Sequence, residues 1–510
     1  MANSPRIKLV SECFIRPKLE TNSINTKRPY YLAPNDLALL SAHYIQKGLL
    51  YTKPPSITQG EEQFDVESFL ERLKGSLARA LVQFYPLVGQ LETEINEDQH
   101  SSLIFVDCSK GPGVRFIHAG LDVTNSDILS PTDVPQIVQS FFDHDRALNH
   151  DGHIRPLLSV QVTELIDGIF IGCSMNHAVC DGTSFWHFWN IWSQLHTSDR
   201  AIANPPIHGR WFPGGCGPGV TLPFTDPGEF LKRYEAPKLR ERIFHFSSDL
   251  LLKLKKKANA EAGEAEGNIS SFQAVSALAW RAITRARCLA PNRKTTCNLD
   301  ANLRHRLEPP WPQEYFGNLI WLATAASTAG ELLEQSLGWA ARLLNRAVAE
   351  LTDKQIHGGF DTWIQSPFLY HMDSFFDSSS VVIGSSPRFN VYGNEFGLGK
   401  AVAVRSGYAS KYPGKITAYP GFEGEGSMDL EICLPPESMR ALELDDEFMA
   451  VVTQGAPILT KLKLVGPGSW KEQTSTKVEH TEEPIQQNRE ILPISSVRSL
   501  FYQSKEPGET

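Results

Sequence analysis

The chain has 510 residues, of which 41% are hydrophobic and 21% are charged, and its formal net charge is −9. These proportions are typical of soluble globular proteins and exclude disordered, fibrous and membrane-spanning classes, and the length predicts two domains. The acidic balance leaves no broad basic surface for a polyanion, so we expect no nucleic-acid partner.

At the N-terminus, charged residues occur within the first ten positions and the apolar run of a signal peptide is missing. No stretch approaches the roughly 18 apolar residues of a membrane helix. We therefore expect a cytoplasmic protein that does not bind a membrane, and a monomer, because heptads and interaction repeats are missing.

The sequence pattern of the first half of the chain predicts a helix, a β-hairpin and a second helix. Apolar residues recur every three or four positions from Phe69 to Phe84, and Tyr85-Pro86 ends the pattern. Two alternating apolar runs flank a turn at Asp167-Gly168, as in a β-hairpin. An aromatic helix follows near residues 184–189, and its spacing favours helix core over an acceptor pocket for its large residues: Trp186, Phe188, Trp189 and Trp192.

The second half begins after a segment rich in helix and strand breakers. Residues 205–228 contain six prolines and six glycines, which predicts an interdomain crossover. Beyond it we expect α/β structure and then a polar tail with little periodicity. The predicted elements are a strand near 242–246, helices near 250–257, 272–288 and 332–351, and a polar loop at 258–268. The predicted divisions are an N-terminal domain 1–200, a crossover linker 201–240, a C-terminal domain 241–465 and a partly disordered tail 466–510.

A histidine that follows an apolar strand is the candidate catalytic group. The pattern His-x-x-x-Asp occurs four times, and only at His177 does it come directly off a strand and precede Asp-Gly and an aromatic helix. Imidazole is mostly neutral yet basic near neutral pH, so it suits a general base. The other three copies are expected to be surface or capping residues: His118/Asp122, His245/Asp249 and His357/Asp361.

Two roles are open for Asp181, four residues after His177. It could orient the imidazole, as the carboxylate of a catalytic triad does. Alternatively, the turn at Gly182 could direct it elsewhere, to pair with an arginine and brace the loop.

The stretch Met175–Phe185 resembles the HxxxDG signature of the plant BAHD acyltransferases. Further stretches agree in order over roughly residues 6–465: 31–36, 73–91, 270–281, 302–304, 315–318 and 389–400. The resemblance implies two chloramphenicol-acetyltransferase-like α/β domains, each a mixed β-sheet with flanking helices, and a solvent channel between them. It also implies that His177 acts as base without an acyl-enzyme and that Asp181 is mainly structural, with Arg304 as its expected partner.

A second family signature, DFGWG, is altered here. It reads Glu395-Phe396-Gly397-Leu398-Gly399, with Glu for Asp and Leu for Trp. In the family this loop supports the domain arrangement, so the change bears on packing and channel shape more than on proton transfer. The glycines also have a purely structural interpretation, because they permit turns.

The co-substrate that the resemblance implies is a coenzyme A thioester, with no tightly bound cofactor and no metal. Candidate coenzyme A contacts are Lys256 and Lys257, with Ser270 and Ser271 at the start of the next helix. A helix start offers free N–H groups to a phosphate, although a lysine run is usually a solvated face. The eight cysteines contain no C-x-x-C pair, so neither a zinc ribbon nor a disulfide framework is indicated.

Acyl transfer to a hydroxyl or amine of a specialised metabolite or surface-lipid precursor is therefore the leading hypothesis. Two rivals stay open: a lyase or rearrangement on a conjugate of the isochorismate type, without coenzyme A, and a non-catalytic binding protein on the same scaffold. A resembling lyase of that kind lacks the histidine, so His177 favours base-dependent acyl transfer. The sequence lacks the motifs of zinc proteases, serine hydrolases, P-loop enzymes and Rossmann domains.

Overall fold

A computed structural model describes residues 6–18, 29–54, 64–198, 200–263, 268–371 and 377–453. The predicted tail, 466–510, lies outside these ranges, as do residues 454–465 of the predicted C-terminal domain. The described strands are β1 Lys8–Ile15, β2 Tyr30–Tyr31, β3 Ile45–Thr52, β4 Gln90–Asn96, β5 Ser101–Asp107, β6 Val114–Gly120, β7 Leu158–Glu164, β8 Gly168–Met175, β9 Thr221–Leu222, β10 Arg240–Phe246, β11 Lys294–Asn302, β12 Ile320–Thr328, β13 Val381–Gly384, β14 Ala403–Ser406, β15 Lys415–Pro420 and β16 Met428–Leu434.

Helices of very different length connect these strands. The described ones are α1 Pro34–Leu37, α2 Val66–Gln83, α3 Asn125–Leu129, α4 Gly182–Thr197, α5 Ser248–Ala262, α6 Ser271–Ala286, α7 Ala329–Glu334, α8 Leu337–Ala349, α9 Asp353–Gln365, α10 Pro436–Glu443 and α11 Asp446–Met449. In the part of the chain that the structure describes, no helix is both long and apolar enough to cross a membrane.

Two six-stranded mixed sheets dominate the fold. The first has the order β1-β6-β7-β8-β3-β14 and the second the order β10-β16-β15-β13-β11-β12. A smaller sheet, β2-β5-β4, takes β9 at its side. Each large sheet packs one face on its own helices, so the structure contains two main cores.

The predicted hairpin is confirmed as β7 and β8, which pair antiparallel from Leu158↔Met175 to Glu164↔Ile169. The predicted helix 69–84 is confirmed as α2. Its first turn is capped by Asp65, whose side chain accepts from the Glu67 amide, and the helix gives way at Phe84 to a short 3₁₀ turn. Both predictions are correct because the apolar spacing and the residues that end each element indicate the same limits.

Two sequence predictions in the second half are wrong. The loop expected at 258–268 is helical to Ala262, because the buried Ala258 and Ala262 continue the apolar face of α5 and the left-handed Gly263 ends it. The single helix expected at 332–351 is two helices, α7 and α8. Ser336 separates them, since its side chain caps α8 by accepting from the Trp339 amide.

One strand of the second half belongs to the first sheet. β14 pairs antiparallel with β3, from Ala403↔Leu50 to Ser406↔Lys47. The predicted domain limits stay a prediction, and this crossing strand lies within the range assigned to the C-terminal domain.

The second sheet has one apolar and one polar face. Along β11, Cys297 and Leu299 are buried in the core with α6 and α8. Asn298, Asp300 and Asn302 alternate with them and are half-buried or exposed. Because side chains alternate along a strand, these polar groups share the face away from the helices.

Candidate active site

His177 lies two residues beyond β8, on a short loop that leads into α4. Its amide donates to Asn149 Oδ1 at 2.7 Å, and its carbonyl accepts from Asn318 Nδ2 at 2.7 Å. Asn149 is fully buried and its own Nδ2 donates to the Leu39 carbonyl at 2.7 Å. The backbone of the histidine is therefore fixed on both sides, as a preorganised catalytic group requires.

The His177 ring is half-buried, and its Nδ1 atom is enclosed by protein. Burial lowers the pKa of His177. The carbonyl groups of His177 and Cys180 and the carboxylates of Asp181 and Asp300 oppose this effect without overcoming it. The imidazole is consequently neutral near pH 7, which is the form that accepts a proton.

Asp181 points to Arg304. Its Oδ2 accepts from Arg304 Nη1 at 2.7 Å and its Oδ1 from Arg304 Nη2 at 3.1 Å, and both side chains are fully buried. The Ser184 and Leu319 amides donate to the same carboxylate at 2.9 and 3.1 Å. Burial alone would raise the pKa of Asp181, but Arg304 and these hydrogen bonds hold it below its ordinary value.

This geometry favours the second of the two roles left open for Asp181. As N-cap of α4, Asp181 starts the helix that carries the aromatic cluster. Its hydrogen bond to the Leu319 amide links the loop to the start of β12. Gly182 opens α4, and a Cβ there would meet the Phe389 ring at 3.4 Å.

The other three His-x-x-x-Asp histidines have carboxylate neighbours other than the aspartate four residues on. His118 Nε2 is 3.7 Å from Glu164, and His245 Nδ1 is 2.6 Å from Asp429. His357 Nε2 is 3.4 Å from Asp353, which precedes it by four residues. Spacing alone therefore does not distinguish the four copies, and only His177 directly follows the end of a strand.

The altered loop at 395–399 packs against α4. The Phe396 ring contacts Trp192 and Trp189, with centroid distances of 4.7 and 5.7 Å, and its amide donates to Ser193 Oγ at 3.4 Å. Gly397 and Gly399 have positive φ of 72° and 81°, and Glu395 is exposed. The large aromatic residues of α4 are buried, as predicted: Trp186, Phe188, Trp189 and Trp192.

The candidate coenzyme A residues lie on two neighbouring helices. Ser270 caps α6 and forms a capping box with Gln273, and Ser271 is the first residue of that helix. Lys256 and Lys257 are exposed on α5, with Lys257 Nζ 3.9 Å from Glu261. Asn259 joins the two helices, because its side chain bonds both the amide and the carbonyl of Ile269, each at 3.0 Å.

Sequence reasoning missed a buried polar relay behind His177. Asn318, which holds the histidine carbonyl, also donates from Nδ2 to Asp36 Oδ1 at 2.8 Å. Asp36 in turn pairs with Arg210. Asp36 and Asn318 fall in stretches that carry the family resemblance, but nothing local in the sequence signals Asn149 or Arg210.

A small cavity adjoins the start of α4. Its volume is about 200 Å³, and it lies beside the aromatic helix. The lining includes Thr183, Trp186, Asn190, Gln313, Arg388 and Phe389. Among the described residues, no group of three His, Cys, Asp or Glu side chains is suited to hold a metal ion.

Comparison with known proteins decides the family. A model of the Transferase family matches residues 8–449. An uncharacterized acetyltransferase of Arabidopsis thaliana is 35% identical over 449 residues, covering 87% of this chain and 98% of the relative. BAHD acyltransferase DCR of the same plant is 34% identical, covering 87% of this chain and 92% of the relative.

The chain belongs to the BAHD acyltransferase family. It is an enzyme of that family, which confirms the predicted enzyme class. The crystal structure of vinorine synthase superposes with a TM-score of 0.65 at 21% identity, covering 88% of this chain and 98% of that one. TRI101 of F. graminearum, complexed with ethyl coenzyme A, superposes with a TM-score of 0.63 at 17% identity, covering 83% and 98%. The predicted fold of two chloramphenicol-acetyltransferase-like domains is thereby confirmed.

Proposed function

We propose that this BAHD enzyme transfers an acyl group from an acyl-CoA thioester to a hydroxyl or amine of a small-molecule acceptor, with His177 as general base. The observation that supports this most directly is the neutral, half-buried imidazole of His177 on a loop with a fixed backbone. A structural relative, TRI101, is described in complex with coenzyme A and deoxynivalenol. In the proposed reaction the acyl-CoA and the acceptor meet at His177.

In this mechanism the imidazole removes the proton of the acceptor as its oxygen or nitrogen attacks the thioester carbonyl. The tetrahedral intermediate then collapses, the carbon–sulfur bond breaks, and the imidazolium returns the proton to the coenzyme A thiolate. Because Nδ1 is enclosed by protein, Nε2 is the nitrogen that faces the acceptor. Asp181, engaged by Arg304, keeps the loop and the first turn of α4 in place.

The coenzyme A thioester would lie near the start of α6. Ser270 and Ser271 present the helix terminus to a phosphate, and Lys256 and Lys257 add positive charge from α5. We propose a metabolite of specialised metabolism or a surface-lipid precursor as acceptor. No tightly bound cofactor takes part in this scheme.

Replacing the proposed base tests this function. We expect His177→Ala to lower turnover about a hundredfold or more, since general-base catalysis contributes at least that factor. The assay follows acyl transfer from acetyl-CoA to a broad acceptor panel by mass spectrometry, with folding of the variant checked by circular dichroism. Unchanged turnover in folded His177→Ala protein would remove the proposal.

Controls separate the base from its rivals. His357→Ala, a half-buried copy of the same four-residue pattern, should leave turnover unchanged. The acid limb of kcat/KM in the parent enzyme should lie below pH 6.5, because burial lowers the pKa of His177.

Two outcomes would favour the rival functions. Loss of substrate without any acyl donor would favour the elimination. Absence of both turnover and thermal stabilisation by acyl-CoA would favour a binding protein.

A further inference from the structure

Two lysines from opposite sheets approach the polar face of the second sheet. Lys47 lies on β3 of the first sheet, and its Nζ donates to the Oη of Tyr419 on β15 at 2.7 Å. The same ammonium lies 4.8 Å from the centre of the Tyr419 ring. Lys47 thus reaches across from one sheet to the other.

Lys415 lies on β15, four residues before Tyr419 and on the same face. It is half-buried, and its Nζ lies over Gly384 of β13. A Cβ at Gly384 would be 2.5 Å from Lys415 Nζ and 2.6 Å from Asp300 Oδ2. The glycine therefore leaves the space in which this ammonium and this carboxylate converge.

Two buried carboxylates near Lys47 form ion pairs with a different lysine. Glu431 Oε1 accepts from Ser406 Oγ at 2.5 Å and lies 3.5 Å from Lys411 Nζ. Lys411 also pairs with Glu241. Within the ranges that the structure describes, neither Lys47 nor Lys415 forms a direct ion pair, although Asp300 lies near Lys415 and Glu431 acts on Lys47.

The surroundings of Lys47 disfavour its charged form. The pKa of Lys47 is lowered to about 8, chiefly by burial; Glu431 opposes the shift, and the positive charges of Lys415 and Lys411 contribute to it. A buried cation without a counter-ion is unfavourable, and a bound anion removes the cost.

The face of the second sheet that the lysines approach lies near the proposed base. Asp300, beside Lys415, is close enough to raise the pKa of His177. Asn302, two residues along the same face of β11, donates to Thr183 Oγ1 in the first turn of α4 at 3.3 Å. This face of the second sheet therefore borders the loop that carries His177.

We propose that Lys47 and Lys415 form a subsite for a carboxylate group of the substrate, so that the enzyme selects an acceptor or acyl chain that carries one. The inference rests on the proposed function for its place in the reaction, but the subsite is a binding property. Each ammonium would donate a charge-assisted hydrogen bond to the carboxylate. Asp300 lies on the side of this subsite nearest His177 and would repel a carboxylate placed too close to the base.

The test measures protection of Lys47 in the full chain. Brief labelling with acetic anhydride at several pH values, followed by peptide mass spectrometry, reports the reactivity of Lys47. One arm compares shikimate, 5-hydroxyanthranilate and ω-hydroxypalmitate with their methyl esters, and the other compares malonyl-CoA with acetyl-CoA. We expect at least one acid to protect Lys47 and to raise the pH of half-labelling, and its neutral counterpart to do neither. The arm that responds identifies the acceptor or the acyl chain as the source of the carboxylate.

Variants distinguish a subsite from a structural lysine. Lys415→Met should weaken the protecting acid about tenfold or more, the effect of one lost charged hydrogen bond, and Lys415→Arg should retain most of the affinity. Lys354→Met, on the exposed face of α9, should leave it unchanged. His177→Ala should keep the protection, so a failed catalytic proposal leaves this one separately tested. Equal protection by acids and their neutral counterparts, protection by none, or unchanged affinity in folded Lys415→Met would overturn the subsite.

Discussion

The carboxylate of Asp181 shows how one residue can serve the site without touching the reacting atoms. Both oxygens are taken by the Arg304 guanidinium and by the amides of Ser184 and Leu319. An aspartate so fully engaged has no hydrogen bond left to orient the imidazole of His177. Its contribution is therefore to the stability of the loop, and its loss should appear first as unfolding.

Breaking this pair is the prediction at the residue scale. Arg304→Met should lower the free energy of unfolding by about 3 kcal/mol or more, because it leaves a buried carboxylate without its counter-ion. Urea denaturation followed by fluorescence measures the change. Arg293→Met, which removes an exposed arginine paired with Asp377, should cost less than about 1 kcal/mol. An equal, small loss in both variants would contradict the assigned role.

The residues proposed for the base and for coenzyme A binding lie at two helix starts. α4 begins at Gly182 under the cap of Asp181, directly after the His177 loop. α6 begins at Ser271 under a capping box of Ser270 and Gln273. A helix start exposes amide groups, so the same geometry that stabilises the helix can hold a phosphate.

Substitutions at Ser270 separate these two effects. Ser270→Ala should lower stability by about 1 kcal/mol through loss of the cap. Ser270→Asp keeps a capping oxygen and should preserve stability, yet its negative charge should repel a phosphate and raise the KM for acetyl-CoA. Thermal unfolding and initial-rate kinetics give the two readouts. An unchanged KM in Ser270→Asp would remove coenzyme A from the start of α6.

At the scale of the whole molecule, buried histidines make the fold sensitive to acid. Burial lowers the pKa of His43, His150 and His196 from 6.5 to about 4. Between pH 4 and pH 6.5 these histidines are protonated in the unfolded chain but stay neutral in the folded chain. Stability is therefore present above pH 6.5 and is lost as the pH falls from 6.5 towards 4.

His43 provides the test, because its side chain is almost fully buried and accepts from the Ser410 amide at 3.1 Å. It should account for up to about 1.4 kcal/mol of lost stability per pH unit in that window. Urea denaturation at pH 7, 6 and 5 gives the slope, which His43→Gln should flatten. His100→Gln, at an exposed position, should leave the slope as it is. A slope equal in all three proteins would show that His43 titrates freely in the folded state.

The sequence by itself determined the features that depend on neighbouring residues. Apolar spacing and a proline located α2, the alternation around Asp167-Gly168 located the β7–β8 hairpin, and the strand before His177 distinguished it from three similar patterns. Prediction from the sequence failed where the apolar periodicity was ambiguous, as in the extra turn of α5 and the break between α7 and α8.

Apart from the Asp181–Arg304 pair, which the family resemblance led us to expect, only the tertiary structure decided which distant groups meet. Asp181 and Arg304 are 123 residues apart and Lys47 and Tyr419 are 372 apart, so no local pattern joins them. β14 is assigned to the first sheet by its pairing with β3, far from it in sequence. The physical reason is that the spacing of residues along the chain determines helices, strands and turns, whereas strand pairing and burial determine which distant residues come into contact. The candidate site is built from such long-range contacts.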